Sequence, residues 1–166
     1  MFSTDLPAAS GLYDPANEHD ACGVAFVATL TGIPTHDIVQ KALTALVNLE
    51  HRGATGAEPD SGDGAGILFR VPDEFFRAVV DFELPEAGFY AAGTAYLPQD
   101  PADVVVVKAA IAAIAETEGL KVLGWRPVPT NSSMIGSTAR SVMPTFEQLF
   151  VASTNPAIGG IELDRV

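Results

Sequence analysis

Cys22 is the only cysteine among the 166 residues, and it heads an apolar run, Cys22-Gly23-Val24-Ala25-Phe26-Val27-Ala28-Thr29-Leu30. A thiol attacks as its thiolate, so a nucleophilic Cys22 needs a base within reach. His19, His36 and His51 are scattered along the chain without a spacing that assigns one of them to that task. The residue's own α-amine is a second kind of base. Its ordinary pKa, about 7.7–8.0, lies close to working pH, so it can take the thiol proton and return it to a leaving amine. That route requires removal of residues 1–21, because an amide nitrogen inside a chain cannot act as the base. Against it stands the commoner fate of a lone cysteine beside an apolar strand, that of a small buried hydrophobe.

Two other segments carry chemically useful groups. Arg52, in Leu49-Glu50-His51-Arg52-Gly53-Ala54, is either a helix-end cation satisfying the last carbonyls or a guanidinium aimed at a carboxylate or at the nucleophile. His51 is either a base or a helix cap. Gly62-Asp63-Gly64-Ala65-Gly66 invites a phosphate-cradling role, but that fingerprint needs a strand before the glycines and a helix after them. Here a strand is expected after them, and no Gly-Lys-Ser/Thr follows. A tight loop packed near other backbone fits better, and Asp60 with Asp63 is too few for a calcium loop. The single Trp125 fits the core or its rim better than a stacking platform.

These residues have to be held by elements, and the pattern predicts them. The run 22–30 reads as a buried strand. Ile38, Ala42, Ala45, Leu46 and Leu49 recur at helical steps, with Thr35 as N-cap and Asp37 in the first turn. Residues 53–66 hold five glycines and read as a loop needing positive φ or close backbone approach. Ile67 to Val71 reads as a strand, Pro72-Asp73-Glu74 as the start of a short helix to about Val80, and 88–97 as a further strand. Asp100-Pro101-Ala102-Asp103 opens a helix that runs to about Glu118 and stops at Gly119. Lys121 to Val128 and Thr145 to Ser153 read as strands, Pro129 to Ser141 as a loop, and the tail after Pro156 as irregular. The expectation is a mixed α and β chain of five strands and three helices.

Composition excludes several classes. Nine Lys and Arg against 21 Asp and Glu give a formal charge of −12. Such a chain offers no basic patch for nucleic acid and is repelled by an anionic membrane. Hydrophobic residues make up 48%, enough to fill a core. Val104 to Ala115 is too short to span a bilayer and holds Lys108. One cysteine allows no internal disulfide and fits a reducing, cytoplasmic setting. The first 20 residues lack a basic start and an apolar core, so they are not a secretory signal.

The runs GLYDPANEHDACGVAFVA and HDIVQKALTALVNLEHRGATGAEPDSGDGAGILFRVPDEFF together resemble the class II glutamine amidotransferase domain at the start of glutamate synthase large (α) subunits. That domain is of the N-terminal-nucleophile (Ntn) hydrolase type. The likeness is specific from about Gly11 to Phe76 and looser through GWRPVPTNSSMIGSTAR to FEQLFV. It implies a propeptide over 1–21 and a domain portion over 22–166, with Cys22 as mature N-terminus and nucleophile and with Gly23 and Arg52 in its neighbourhood. The implied fold is α+β, a four-layer αββα sandwich, incomplete in this chain. The implied substrate is L-glutamine, cleaved to glutamate and ammonia through a γ-glutamyl thioester, the ammonia then aminating 2-oxoglutarate in the complete enzyme.

The resemblance also sets limits. Ala25 replaces the glycine usual in C-G-V-G-F. The family's H-Q-R-[YF]-S-T and H-N-G-E segments, which grip substrate and form the oxyanion hole, do not occur here, and no Asn-Gly dipeptide occurs at all. Loss of a single oxyanion donor costs about 10²–10³ in rate, so a chain of this extent is expected to be inactive alone; a cut sheet leaves unpaired edges, so it is also expected to be poorly soluble or misfolded. It reads as an N-terminal fragment whose partners are the remaining domains of the large subunit and a small electron-transfer subunit. No cofactor is expected in this chain. FMN and an iron–sulfur cluster are expected in the missing parts. The alternatives are a non-catalytic truncated relative that binds another protein through an exposed sheet edge and, last, a nucleotide-binding protein using Gly62 to Gly66.

Overall fold

The computed structural model describes residues 10–11, 23–49, 62 and 64–165. The chain divides into two units, Met1–Phe69 and Arg70–Val166.

In the first unit the predicted helix is present as α1, His36–Asn48, with Thr35 extended at its N-cap position and Asp37 in the first turn. The Thr35 side chain makes no cap hydrogen bond, and no residue of α1 is buried. Asp37 instead pairs with Lys41 one turn on, 2.7 Å apart. The predicted strand 22–30 is not formed over its described part. Residues 23–30 are irregular and largely exposed, Val24 and Phe26 each at 92%. The predicted strand 67–71 is likewise irregular. A strand exists only as part of a hydrogen-bonded ladder, and neither run has a ladder partner among the described residues. Gly64 carries the positive φ expected of the glycine-rich loop, +89°.

In the second unit the elements follow as α2 (Asp73–Val79), β1 (Ala91–Leu97), α3 (Pro101–Thr117), β2 (Leu120–Pro127), α4 (Ser137–Val142) and β3 (Thr145–Ser153), closed by a 3₁₀ helix at Gly160–Arg165. The strands form one antiparallel sheet in the order β1-β3-β2. Three strands therefore stand, among the described residues, where five were expected. The short α4 lies across the end of the predicted loop 129–141, and the 3₁₀ helix lies in the tail predicted to be irregular.

The α3 start is built as its sequence indicates. The Asp100 carboxylate accepts from the Ala102 amide at 2.8 Å and Pro101 takes the first helical position. At the other end Gly119 turns the chain at φ +73°, and its carbonyl accepts from both the amide and the hydroxyl of Thr154 at 2.8 and 2.9 Å. This ties the start of β2 to the end of β3.

Alternation along the central strand β3 sets two faces. Glu147 points to the α3 side, where both its oxygens lie within 2.7 Å of Lys108 Nζ. The same ammonium sits 4.8 Å from the centre of the Trp125 ring, so the tryptophan packs at the rim of the α3–sheet contact. Phe150 points the other way and is fully buried. Phe76 of α2, Phe82 and Tyr90 surround it, with ring centres 4.9, 5.3 and 6.3 Å away. Gly124 on β2 is what admits Phe82, since a Cβ there would lie 2.4 Å from that ring.

Candidate functional site

Cys22, Arg52 and His51 lie outside the described residues. Of the predicted site only Gly23 is described, in exposed irregular chain. The elements that lead to these positions are clearer. The apolar run 23–30 follows Cys22 directly, and α1 ends at Asn48, four positions before Arg52.

The described residues gather ionisable and polar side chains in three places. The first joins α2 to the chain entering β1. Tyr90 donates its hydroxyl proton to Asp73 Oδ1 at 2.9 Å, and Arg77 Nε donates to Asp73 Oδ2 at 2.9 Å. The same guanidinium donates to the carbonyls of Leu84 and Pro85. The Arg77 hydrogen bond, helped by that from Tyr90, holds the Asp73 carboxyl below its usual range. Burial, and then the bond to Asp73, push the Tyr90 phenol up to about 12. A phenol so placed stays protonated at neutral pH, so it is a donor and not a base. The cluster clamps the 81–89 segment and contains no nucleophile.

The second place is the Lys108–Glu147–Trp125 group already described. The third is on the opposite face, where Arg126 donates to Gln148 Oε1 at 2.8 Å and lies over Phe75, 5.4 Å from its ring centre. The first two pair opposite charges, whereas Arg126 is held by a neutral amide oxygen and an aromatic ring. Sequence reasoning missed all three. The Asp73/Arg77 spacing of four was a visible signal, but the cross-strand and helix–sheet partners were not.

Two clefts open at opposite ends of the sheet. One, of about 300 Å³, is lined by Glu86, Phe89, Lys121, Ser153 and Asn155. The other, of about 400 Å³, is lined by Val128, Ser132, Arg140, Met143 and Phe146. In the first, the Ser153 hydroxyl accepts from the Asn155 amide at 3.1 Å. Among the described residues no three His, Cys, Asp or Glu side chains gather as a metal site. A chain with one cysteine does not fit an iron–sulfur cluster, which takes several thiolates. No helix among the described residues is long and apolar enough to cross a membrane.

Residues 22–165 match the family Glutamine amidotransferases class-II, and the chain belongs to that family. Within it the similarity is to glutamate synthases. The large chain of the NADPH enzyme of Bacillus subtilis is 40% identical over 166 residues, covering 99% of this chain and 11% of that protein. Ferredoxin-dependent glutamate synthase 1 of Arabidopsis thaliana is 42% identical over 87% of this chain and 9% of its own length. The NADH enzyme of Saccharomyces cerevisiae is 41% identical over 86% of this chain and 7% of its own. The chain spans about a tenth of the length of these relatives. Its small antiparallel sheet with helices is consistent with the family.

Proposed function

We propose that this chain is the nucleophile-bearing part of the glutaminase domain of a glutamate synthase, with Cys22 as its catalytic residue. The observation that carries this is where the family match starts: at residue 22 itself, the sole cysteine, leaving residues 1–21 outside it. Those residues are then a propeptide, and its removal frees the amine the thiol needs. The domain portion is 22–166, and its completed fold is the four-layer αββα sandwich of Ntn hydrolases. The three-stranded sheet with α3 against one face is compatible with one half of that arrangement.

The free α-amine of Cys22 takes the thiol proton, and the sulfur attacks the side-chain amide carbon of L-glutamine. The carbonyl π-electrons move to oxygen, and their return expels the amide nitrogen, which leaves as ammonia with the proton the amine held. A γ-glutamyl thioester remains. Water adds to it with the amine as base, the carbon–sulfur bond breaks, and glutamate leaves with the thiol restored. Gly23 gives the nucleophile unhindered backbone beside it, and Arg52 stands near it as a fixed positive charge. The released ammonia serves amination of 2-oxoglutarate by the remaining large-subunit domains, an oxidoreductase reaction. FMN, an iron–sulfur cluster and a small electron-transfer subunit belong to that reaction outside this chain, and the setting is cytoplasmic.

The test is chemical. The native protein is isolated from its source, its N-terminal residue is read, and it is treated with a glutamine-analogue electrophile. A mature chain beginning at Cys22 and labelled on that residue is expected. A mature protein that keeps residues 1–21, or label on any other residue, overturns the proposal.

A further inference from the structure

The side-chain bonds of the two units differ in reach. Among the described residues of Met1–Phe69 they are local. Thr29 meets Thr31, His36 meets Gln40, Asp37 meets Lys41 and Thr44 meets the Gln40 carbonyl, never more than four positions apart. None of those described residues is buried. In Arg70–Val166 the bonds span the fold. Tyr90 reaches Asp73 across 17 positions, Arg126 reaches Gln148 across 22, Lys108 reaches Glu147 across 39, and Gln99 reaches the Met143 carbonyl across 44. The Gly160 amide donates to the Gly88 carbonyl at 2.6 Å, which ties the closing 3₁₀ helix to the turn before β1. Every buried apolar side chain among the described residues, from Phe76 to Leu163, lies in this second unit. So do the partly buried ones packed around the Phe150 cluster, from Val71 to Leu123.

We infer that residues 70–166 are a self-contained folding unit, which closes its core without residues 1–69. Long-range contacts are what make a fold cooperative, and here they begin and end inside one stretch of chain. The stretch is long enough, since domains of about 55–65 residues fold alone. Its first and last elements both take part in the closure. Phe76 of α2 packs on Phe150 with ring centres 4.9 Å apart, and Leu163 of the 3₁₀ helix is buried. Regions of one protein that open separately, at different free energies, are ordinary. The first unit is then the one that opens at low cost, and its loss leaves the sheet folded. None of the glutaminase site residues, Cys22, Gly23 or Arg52, enters this inference, so it stands or falls apart from that proposal.

Limited trypsin treatment of the 166-residue chain tests it, because the basic residues fall on both sides of the boundary. Lys41 and Arg70 are exposed. Lys108 is held by Glu147, and Lys121 is paired in the sheet with Ala152. A protease cuts where the chain opens, so cleavage after Lys41 and Arg70 is expected at least tenfold faster than after Lys108 or Lys121. Mass spectrometry reads the order of cuts. Gel filtration then separates the product 71–166 from the N-terminal pieces. Trp125 is the only tryptophan, so its emission follows the sheet unit alone. Its thermal transition is expected to stay sharp in the purified product and to move by less than about 2 °C from that of the intact chain. A lost transition or a larger fall overturns the inference, as do equal rates of cutting in the two units. N-terminal pieces that stay bound through gel filtration overturn it too. So does an intact chain with no cooperative transition, the outcome expected of a sheet cut short.

Discussion

Phe26 and Phe150 sit in runs of closely similar character, Gly-Val-Ala-Phe-Val-Ala-Thr and Glu-Gln-Leu-Phe-Val-Ala-Ser. The structure treats them as opposites. Phe150 is wholly buried in the central strand of a three-stranded sheet, whereas Phe26 is 92% exposed in irregular chain. Both runs have the apolar, partly β-branched make-up of strands, so local preference does not separate them. Partners do. The strand β3 has a ladder on each side and an aromatic cluster of Phe76, Phe82 and Tyr90 above Phe150. The 23–30 run has no ladder partner among the described residues. Apolar character makes a segment fit for a strand, and only pairing makes it one.

The sharpest way to break this comparison is to remove both rings. Phe150→Ala deletes a ring that meets three others and leaves a cavity at the centre of the core. A loss of about 3–5 kcal/mol is expected for a buried Phe→Ala change. Phe26→Ala, at a site already in water, is expected to stay within about 0.5 kcal/mol of the parent. Urea unfolding of the two variants measures both. Equal losses would mean that Phe26 is packed in solution and that the two runs are alike after all.

A smaller effect sharpens the account of why the core closes where it does. Gly124 is the position on β2 opposite Phe150, and the Phe82 ring fills the space its missing side chain leaves. Gly124→Ala puts a methyl 2.4 Å from that ring, so the ring or the strand has to move. A cost of about 1–3 kcal/mol is expected for overpacking of this kind, read as a lowered melting temperature. Adding Phe82→Leu to Gly124→Ala is expected to return part of the loss, because the smaller side chain makes room. Additivity of the two changes would show that they do not meet.

How much of this was legible beforehand follows the same line. The start of α3 could be placed because Asp100 and Pro101 act within their own turn, and the close of that helix because Gly119 takes a positive φ. The three strands of the sheet were found from apolar runs whose partners lie in the chain beyond them. The runs 22–30 and 67–71 gave the same local signal and failed, since no local signal reports whether a partner exists. The short helix α4 was missed because six residues, Ser137–Val142, are too few to show a period. At the candidate site, Cys22 and Arg52 were legible as motif residues, through resemblance and not through geometry. The Asp73–Tyr90 and Lys108–Glu147 pairs span 17 and 39 positions, and nothing in the sequence joins their members.

The smallest effect tests the polar edge of the aromatic cluster. Tyr90 is buried with its hydroxyl on Asp73, and its phenol is pushed up to about 12, against 10 in the unfolded chain. The fold therefore favours the protonated phenol. The stability this contributes is fully present below pH 10 and is lost as pH rises from 10 through about 12. Asp73 behaves in the opposite sense. Its carboxyl is held below its usual value of 3.8, by Arg77 first and Tyr90 second, so its contribution is present above that value and fades as pH falls below it. Tyr90→Phe keeps the ring against Phe150 and removes only the hydroxyl. It is expected to cost about 1 kcal/mol at pH 7, the worth of one such hydrogen bond. It is also expected to flatten the alkaline fall in stability between pH 10 and 12 and to leave most of the acid fall, since Arg77 still holds Asp73. Unfolding measured from pH 2 to 12 in both proteins distinguishes this from a purely steric role. An alkaline limb unchanged by the substitution would place the titrating group elsewhere and reduce Tyr90 to a packing residue like its neighbour Phe76.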